Sequence, residues 1–165
     1  MRLLLLTRIV CFGLLLSSYS STAGDCPQLD VNIKNGTVNG LAPTVTMAEL
    51  KKVLPCFTAE SEEGTGMNCG GGVFYSKHDI YFYTGRDYIE LRSGFKGQVS
   101  VSVLGQSKEA VTSVLGKIRK ELQDGSYLYC FYKTNYGCLV VKFGNGKAEK
   151  LMMWAKPVKD VVLCL

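Results

Sequence analysis

The decapeptide TMAELKKVLP, residues 46–55, aligns without gaps on SKEAVTSVLG, residues 107–116. Each stretch begins with a hydroxyl residue that can cap a helix, carries aliphatic residues at equivalent positions, and ends at a proline or glycine that breaks a helix. In the first stretch Glu49 follows Thr46 by three residues, which is the spacing of a capping box. The two stretches therefore predict two short amphipathic helices, each packing one face on a sheet.

Hairpin patterns follow each predicted helix. YFYTGRDYIEL at 81–91 parallels CFYKTNYGCLV at 130–140, and a glycine-rich stretch comes after each of them. QVSVSV at 98–103 alternates between apolar and polar residues, and AEKLMMWAK at 148–156 also has the composition of a strand. Each unit is thus predicted to be a helix followed by an antiparallel meander of strands.

The whole pattern predicts one α+β domain made of two tandem helix–β-meander repeats. Their strands would join into a continuous antiparallel sheet with the helices on one face, and disulfides would stabilise it. The repeats cover residues 44–104 and 105–165, after an N-terminal lead-in at 24–43. Chance similarity is the alternative, because the match is short and amphipathic helices resemble one another.

Residues 1–23 have the pattern of a secretory signal peptide. Arg2 and Arg8 form a basic start, an apolar run follows, and Ser21 and Ala23 offer small residues at a cleavage site. The apolar run is too short for a membrane span. We therefore expect a soluble exported protein that begins at Gly24 and does not insert stably in a membrane.

Charge and cysteine content further narrow the class of protein. Without Arg2 and Arg8 the formal net charge falls from +5 to +3, and no more than two basic residues are adjacent anywhere, so we expect no nucleic-acid partner. Without Cys11 six cysteines remain, and an even number in an exported chain predicts three disulfides whose pairing stays open. The preferred pairing has two local closures and one tie between the termini: Cys56–Cys69, Cys130–Cys138 and Cys26–Cys164.

Catalytic patterns are weak in this sequence. His78, the single histidine, lies beside Asp79, but neighbours in an extended segment point to opposite faces, so Asp79 would not orient it as a general base. The glycine-rich stretch at 62–73 lacks the lysine and the following helix of a phosphate-binding loop. If a disulfide were wrong, Cys69 would be the candidate nucleophile. We predict that the protein is not an enzyme and uses no metal and no cofactor.

Aromatic residues alternate along the predicted strands. Tyr81 and Tyr83 point to one face and Phe82 to the other, so helices that cover the Phe82 side leave the tyrosine side bare. Tyrosine, tryptophan and arginine are enriched in binding hot spots. The predicted partner-binding residues are Tyr81, Tyr83, Arg86, Asp87, Tyr88, Tyr132, Lys133, Tyr136, Met152 and Trp154. The alternative is that several of these rings complete a small core.

AELKKVLP and EAVTSVLG, ahead of YFYTGRDYIEL and CFYKTNYGCLVVKFGNGK, resemble the β-lactamase-inhibitory-protein type, which is built from tandem helix-plus-sheet repeats with local disulfides. They are also similar to the small outer-membrane assembly lipoproteins, which carry a single such unit. The resemblance is one of architecture and covers most of the chain after the leader. The Cys26 and Cys164 pair, the shorter helices and the missing lipid-attachment cysteine depart from it.

In the inhibitor family, the free sheet face and the hairpin loops grip an enzyme. The resemblance therefore implies an inhibitor or immunity protein, located in the bacterial periplasm, that occludes the active site of a hydrolase such as a cell-wall amidase or a lysozyme-like toxin. Arg86, Asp87 or Lys133 would reach into the cleft. An envelope assembly or structural factor and a small-molecule or glycan binder are the other classes, and the oligomeric state stays open.

Overall fold

The computed structural model describes residues 26–62, 71–122, 125–130 and 137–155. The helices in these ranges are α1 (Met47–Val53) and α2 (Lys108–Leu115). The strands are β1 (Asp30–Asn32), β2 (Thr37–Val38), β3 (Ala59–Ser61), β4 (Gly72–Tyr75), β5 (Ile80–Tyr83), β6 (Tyr88–Arg92), β7 (Gln98–Val99), β8 (Lys120–Glu121), β9 (Tyr127–Cys130), β10 (Cys138–Gly144) and β11 (Lys147–Trp154). Neither helix is long and apolar enough to cross a membrane, within the ranges described.

Eight strands form one antiparallel sheet in the order β3-β4-β5-β6-β11-β10-β9-β8. Helix α1 precedes the first four of them in the chain, and α2 precedes the other four. The last strands of the two sets, β6 and β11, pair in the centre, from Tyr88 opposite Trp154 to Arg92 opposite Lys150. The predicted α+β class and the large antiparallel sheet are confirmed, and the origin of its two halves as tandem repeats stays a prediction.

The two predicted hairpins occupy different positions in their halves. Residues 81–91 fall on β5 and β6, the third and fourth strands of the first set, whereas the described part of 130–140 falls on β9 and β10, the second and third strands of the other. The sequence pattern missed the first strand of each set. Strands β3 and β8 are three and two residues long and wholly exposed, so they carry no apolar alternation.

Local turn chemistry shapes the hairpins. Asp79 and Asp87, each with φ of 55°, end the short turns that lead into β5 and β6, and Asp is among the residues that tolerate this left-handed conformation. Asn145 and Gly146, with φ of 51° and 76°, form the two-residue connection between β10 and β11. Asn-Gly is favoured there because both central residues of such a turn need positive φ.

The lead-in is an integral part of the fold. Strand β1 pairs antiparallel with β2 and parallel with β7, which makes a second, three-stranded sheet. The alternating stretch at 98–103 is a strand only over Gln98–Val99. After Val99, the N–H of Ser100 donates to the carbonyl of Val31, and the Ser100 hydroxyl accepts the N–H of Ile33. A side chain thus takes the place of the next backbone hydrogen bond between β1 and β7.

The main core lies between the eight-stranded sheet on one side and both helices and the small sheet on the other. The Phe82 side of β4, β5 and β6 faces this core, as predicted from strand alternation. The sheet contributes Val73, Tyr75, Ile80, Phe82, Ile89, Leu91, Leu139, Val141, Leu151 and Met153, and the covering layer contributes Leu29, Val31, Ile33, Val38, Leu50, Leu54 and Val111. Thr46 and Glu49 form the expected capping box at the start of α1.

The cysteine pairing differs from the preferred one. Cys26 is bonded to Cys56, so the pairings Cys56–Cys69 and Cys26–Cys164 are wrong. Both cysteines pack against the main core, because the lead-in passes beside the end of α1. The 30 residues between them gave no sign in the sequence that they would be neighbours. Cys69 and Cys164 lie outside the described residues.

The third predicted pair remains open. Cys130 and Cys138 are directly opposite on β9 and β10, and Cys138 is buried. The side chain of Cys130 lies outside the described part of the structure. The Cys130–Cys138 disulfide therefore stays a prediction, with the two residues at facing positions of one ladder.

The Cys26–Cys56 bond spans 30 residues, and a cross-link over a loop of this length stabilises a fold by about 3.6 kcal/mol, mainly by restricting the unfolded chain. We expect the double variant Cys26→Ser/Cys56→Ser to lose about that much unfolding free energy in urea without reductant. Mass spectrometry of non-reduced proteolytic peptides should recover Cys26 joined to Cys56. Recovery of Cys56 joined to Cys69 would contradict the structure.

Candidate functional site

The side chains of β4 to β6 and β9 to β11 that point away from the main core form a second face of the sheet. Register places Tyr83 opposite Tyr88, Tyr88 opposite Trp154, and Trp154 opposite Cys138, all on this face. One step along the strands lie Tyr81, Glu90, Met152, Val140 and Leu128, followed by Arg92, Lys150 and Lys142. The second face therefore changes along the strands from aromatic, through mixed, to cationic.

An aromatic row of Phe74, Tyr83, Tyr88 and Trp154 crosses four neighbouring strands. Ring centres are 5.5 Å apart for Phe74 and Tyr83, 4.5 Å for Tyr83 and Tyr88, and 4.2 Å for Tyr88 and Trp154. The last two contacts are stacked, with interplanar angles of 13° and 17°. The rings thus stiffen the middle of the sheet by contacts with one another.

Burial divides the predicted binding residues. Tyr88, Met152 and Trp154 are 2%, 5% and 2% exposed and belong to a second apolar cluster with Leu128, Cys138 and Val140. The expectation that the whole tyrosine side lies bare is therefore wrong for these three residues. Strand alternation gives the direction of a side chain, but it does not show how much surface the neighbouring rings cover.

Other predicted binding residues remain partly exposed to solvent. Tyr81, Tyr83, Arg86 and Asp87 are half-buried, the first two on β5 and the last two in the turn before β6. Asp87 also accepts the N–H of Ala155 on its carbonyl, at 2.9 Å, which ties this turn to the end of β11. The remaining predicted residues, Tyr132, Lys133 and Tyr136, lie outside the described residues.

A buried carboxylate anchors the charged part of the second face. Glu90 is 4% exposed, and its Oε1 accepts a 2.6 Å hydrogen bond from Nε of Arg92 and lies 3.3 Å from Nζ of Lys150. A buried carboxylate needs such partners, because an unpaired charge loses its hydration without compensation. The guanidinium carbon of Arg92 also lies 4.0 Å from the ring centre of Tyr81, a cation–π contact.

Asp79 positions Tyr81 and does not orient His78. Its Oδ1 accepts the Tyr81 hydroxyl at 3.1 Å, and its Oδ2 accepts the Gly94 N–H at 2.8 Å. His78 lies in the turn before β5, and its buried Nδ1 has no hydrogen-bond partner in the described structure. The pairing of a histidine with a carboxylate that a general base requires is not formed by these two neighbours.

Environment keeps the tyrosine hydroxyls of this face protonated. Burial, followed by the charge of Glu90, raises the pKa of Tyr83, and burial, followed by Tyr83 and Glu90, raises the pKa of Tyr88. The pKa of Tyr81 is raised by burial and by its hydrogen bond to Asp79. The three phenols are therefore neutral hydrogen-bonding groups at physiological pH.

Sequence reasoning did not select Phe74, Glu90, Arg92 and Lys150 as site residues. The signal was available, since Glu90 and Arg92 follow Tyr88 at steps of two and therefore share its face. In the described ranges, no group of three or more His, Cys, Asp or Glu side chains is placed to hold a metal ion. What the arrangement offers chemically is a rigid surface of half-exposed tyrosines and cations.

Burial predicts opposite roles for two aromatic residues of this face. Trp154→Ala removes a buried ring and should lower the unfolding free energy by about 3–5 kcal/mol. Tyr81→Ala removes a half-buried ring with a cation–π contact to Arg92 and a hydroxyl bonded to Asp79, and should cost less, about 1–2 kcal/mol. Urea denaturation followed by circular dichroism measures both variants. Equal losses would contradict the burial of Trp154.

The raised tyrosine pKa values predict a loss of stability at alkaline pH. A group whose pKa is higher in the folded state stabilises the fold fully below its unfolded pKa, about 10 for tyrosine, and this contribution is lost as the pH rises through the folded value. The unfolding free energy should therefore fall above about pH 10. Tyr88→Phe should make this fall shallower, and an unchanged slope would contradict the assignment.

Protein-family models, curated protein sequences and solved structures give no match to this chain. The resemblance to the inhibitor type therefore rests on the stretches quoted above and remains a prediction.

Proposed function

We propose that this protein is an exported binding protein that inhibits or neutralises a partner hydrolase, such as a cell-wall amidase or a lysozyme-like toxin, by covering its active-site cleft. The observation that carries the proposal is the group formed by Tyr81, Tyr83 and Arg92. These side chains are partly exposed, lie on central strands of the large sheet, and face away from the helices. Tyrosine and arginine together are the composition of binding hot spots.

Preorganisation supports a binding role for this group. Asp79 holds the Tyr81 hydroxyl, Arg92 lies over the Tyr81 ring, and Glu90 holds Nε of Arg92. A partner would therefore meet side chains whose rotamers are already restricted. This reduces the conformational entropy lost on binding, which is one of the main costs of association.

The turn of Arg86 and Asp87 is a second contact region. It lies at the aromatic end of the second face, and the backbone bond from Ala155 to Asp87 fixes it against β11. A fixed polar turn beside a rigid sheet can enter a cleft with little loss of entropy. We propose that Arg86 or Asp87 reaches into the active site of the partner, with Lys133 as the corresponding residue of the other hairpin.

Export is the proposed location, with the bacterial periplasm as its specific form. The Cys26–Cys56 disulfide supports it, because disulfides form and persist mainly in oxidising compartments. Glycan binding has less support, since glycan stacking needs free ring faces. Tyr88 has one stacked neighbour in Tyr83 and another in Trp154, so its faces are used within the protein.

Inhibition assays with purified lysozyme and a purified cell-wall amidase test the proposal. We expect the protein to inhibit at least one of them stoichiometrically, and we expect Tyr81→Ala/Tyr83→Ala to weaken the complex by about tenfold or more. Phe57→Ala is the matched control, because Phe57 is an exposed ring beside Lys51 of α1, on the helix side. Unaffected hydrolases, or equal affinity of the double variant, would contradict the proposal.

A further inference from the structure

The dipeptide Asn-Gly occurs three times in this chain, at residues 35–36, 39–40 and 145–146. In this dipeptide the backbone nitrogen of the glycine can attack the side-chain amide carbon of the asparagine, because glycine has no Cβ to hinder the approach. The new bond closes a succinimide ring, the Cγ–Nδ2 bond breaks, and ammonia leaves with the proton of the backbone nitrogen. Water then opens the ring at one of its two carbonyl carbons, which gives aspartate or isoaspartate. The three sites share this chemistry, so the fold decides which of them reacts.

Asn39 is held away from this reaction by its side chain. Its Oδ1 accepts the N–H of Asp30 at 2.7 Å, and its Nδ2 donates to the carbonyl of Gln28 at 3.0 Å. Its own N–H donates to the carbonyl of Asp30 at 2.8 Å, so the backbone is fixed as well. Attack by Gly40 needs rotation of the amide, and this rotation breaks both side-chain hydrogen bonds. Each bond that is lost slows the reaction by up to about tenfold.

Asn145 has no such restraint. Asn145 and Gly146 are both exposed, in the two-residue connection between β10 and β11. The last pair of that ladder is Gly144 opposite Lys147, so neither turn residue is part of it. Within the described ranges, no hydrogen bond holds the side-chain amide of Asn145. The amide is therefore able to rotate towards the nitrogen of Gly146, and water reaches the ring that forms.

Asn35 lies between these two extremes. Its side chain is exposed in the turn between β1 and β2, and Oδ1 of Asn32 accepts its backbone N–H at 3.0 Å. Gly36, which supplies the attacking nitrogen, is buried. Close packing around a buried residue limits the backbone movement that ring closure needs. The structure therefore orders the reaction rates, from fastest to slowest, as Asn145, Asn35 and Asn39.

We propose that Asn145 is a site of spontaneous deamidation and that the fold protects Asn39 in the same dipeptide. This inference goes beyond the proposed function and needs no partner. The product carries one more negative charge than the native chain. Its aspartate form keeps the turn, because Asp tolerates the positive φ of this position. Its isoaspartate form adds a methylene group to the backbone of the connection that sets the register of β10 with β11, so it should loosen this hairpin.

Incubation of the purified protein in mildly alkaline buffer tests the proposal. Samples are then cleaved after lysine at mildly acidic pH, which keeps the succinimide reaction slow, and the asparagines and their products are quantified by tandem mass spectrometry. Residues 143–147 contain Asn145 alone, and residues 35–51 contain Asn35 and Asn39, which fragmentation resolves. We expect Asn145 to react at least about tenfold faster than Asn39, with Asn35 between them.

The chain unfolded in urea is the internal control, since it keeps the three dipeptides and loses the hydrogen bonds of Asn39. In urea we expect the rate at Asn39 to approach that at Asn145. Asn145→Gly is the matched variant, because it keeps a residue that accepts positive φ and removes the reactive amide. Its peptide 143–147 should gain no mass while Asn35 reacts as before. A folded protein in which Asn39 reacts as fast as Asn145, or in which Asn145 stays intact although the unfolded chain reacts there, would overturn the proposal.

Discussion

The pairing of β6 with β11 is the constraint on which the rest of the structure depends. Each set of four strands is too small to bury an extended core alone, and this single ladder joins the two sets into eight strands. On one side of the ladder, Leu91 is opposite Leu151 and Ile89 is opposite Met153, all within the main core. On the other side, the same ladder sets Tyr88 against Trp154 and Arg92 against Lys150. The core, the aromatic row and the facing residues Arg92 and Lys150 therefore all cross the junction of the two halves.

The two faces of the sheet have different physical tasks. The core face is apolar and covered by helices and the small sheet, so it provides most of the hydrophobic stabilisation. The second face carries stacked rings at its aromatic end and, one step along the strands, a buried Glu90 held by two cations. A buried ion pair adds little net stability, because desolvation offsets the attraction between its charges. In this protein it fixes the position of Arg92 beside Tyr81, as the proposed binding surface would require.

Residues with strong local signals were predicted correctly. Thr46 and Glu49 start α1 with the predicted capping box, the turn before β6 lies inside the predicted hairpin at 81–91, and Asn145-Gly146 lies in the glycine-rich stretch that follows the second hairpin pattern. Strand alternation assigned Phe82 to the core and Tyr81 and Tyr83 to the other face. The number of strands and the choice of which strands pair depended on contacts between residues far apart in the sequence. The short, exposed strands β3 and β8 were not predicted. The Cys26–Cys56 disulfide was not predicted either, because it depends on the packing of the lead-in against the end of α1.

The sequence by itself determined the positions of both helices, the hairpin at 81–91 and the direction of the side chains along its strands, because capping, turn conformation and period-two alternation act between near neighbours. Only the tertiary structure decided which of those side chains stay accessible. Tyr88 and Trp154 stack on each other at the junction of β6 and β11 and are buried within the second apolar cluster, although their residue types predicted contact residues. Arg92, Lys150 and Lys142 lie in one row only when three strands, whose facing residues are up to 58 positions apart in the chain, align in register. Register is a property of the assembled sheet, since each ladder is set by the packing of both faces at once.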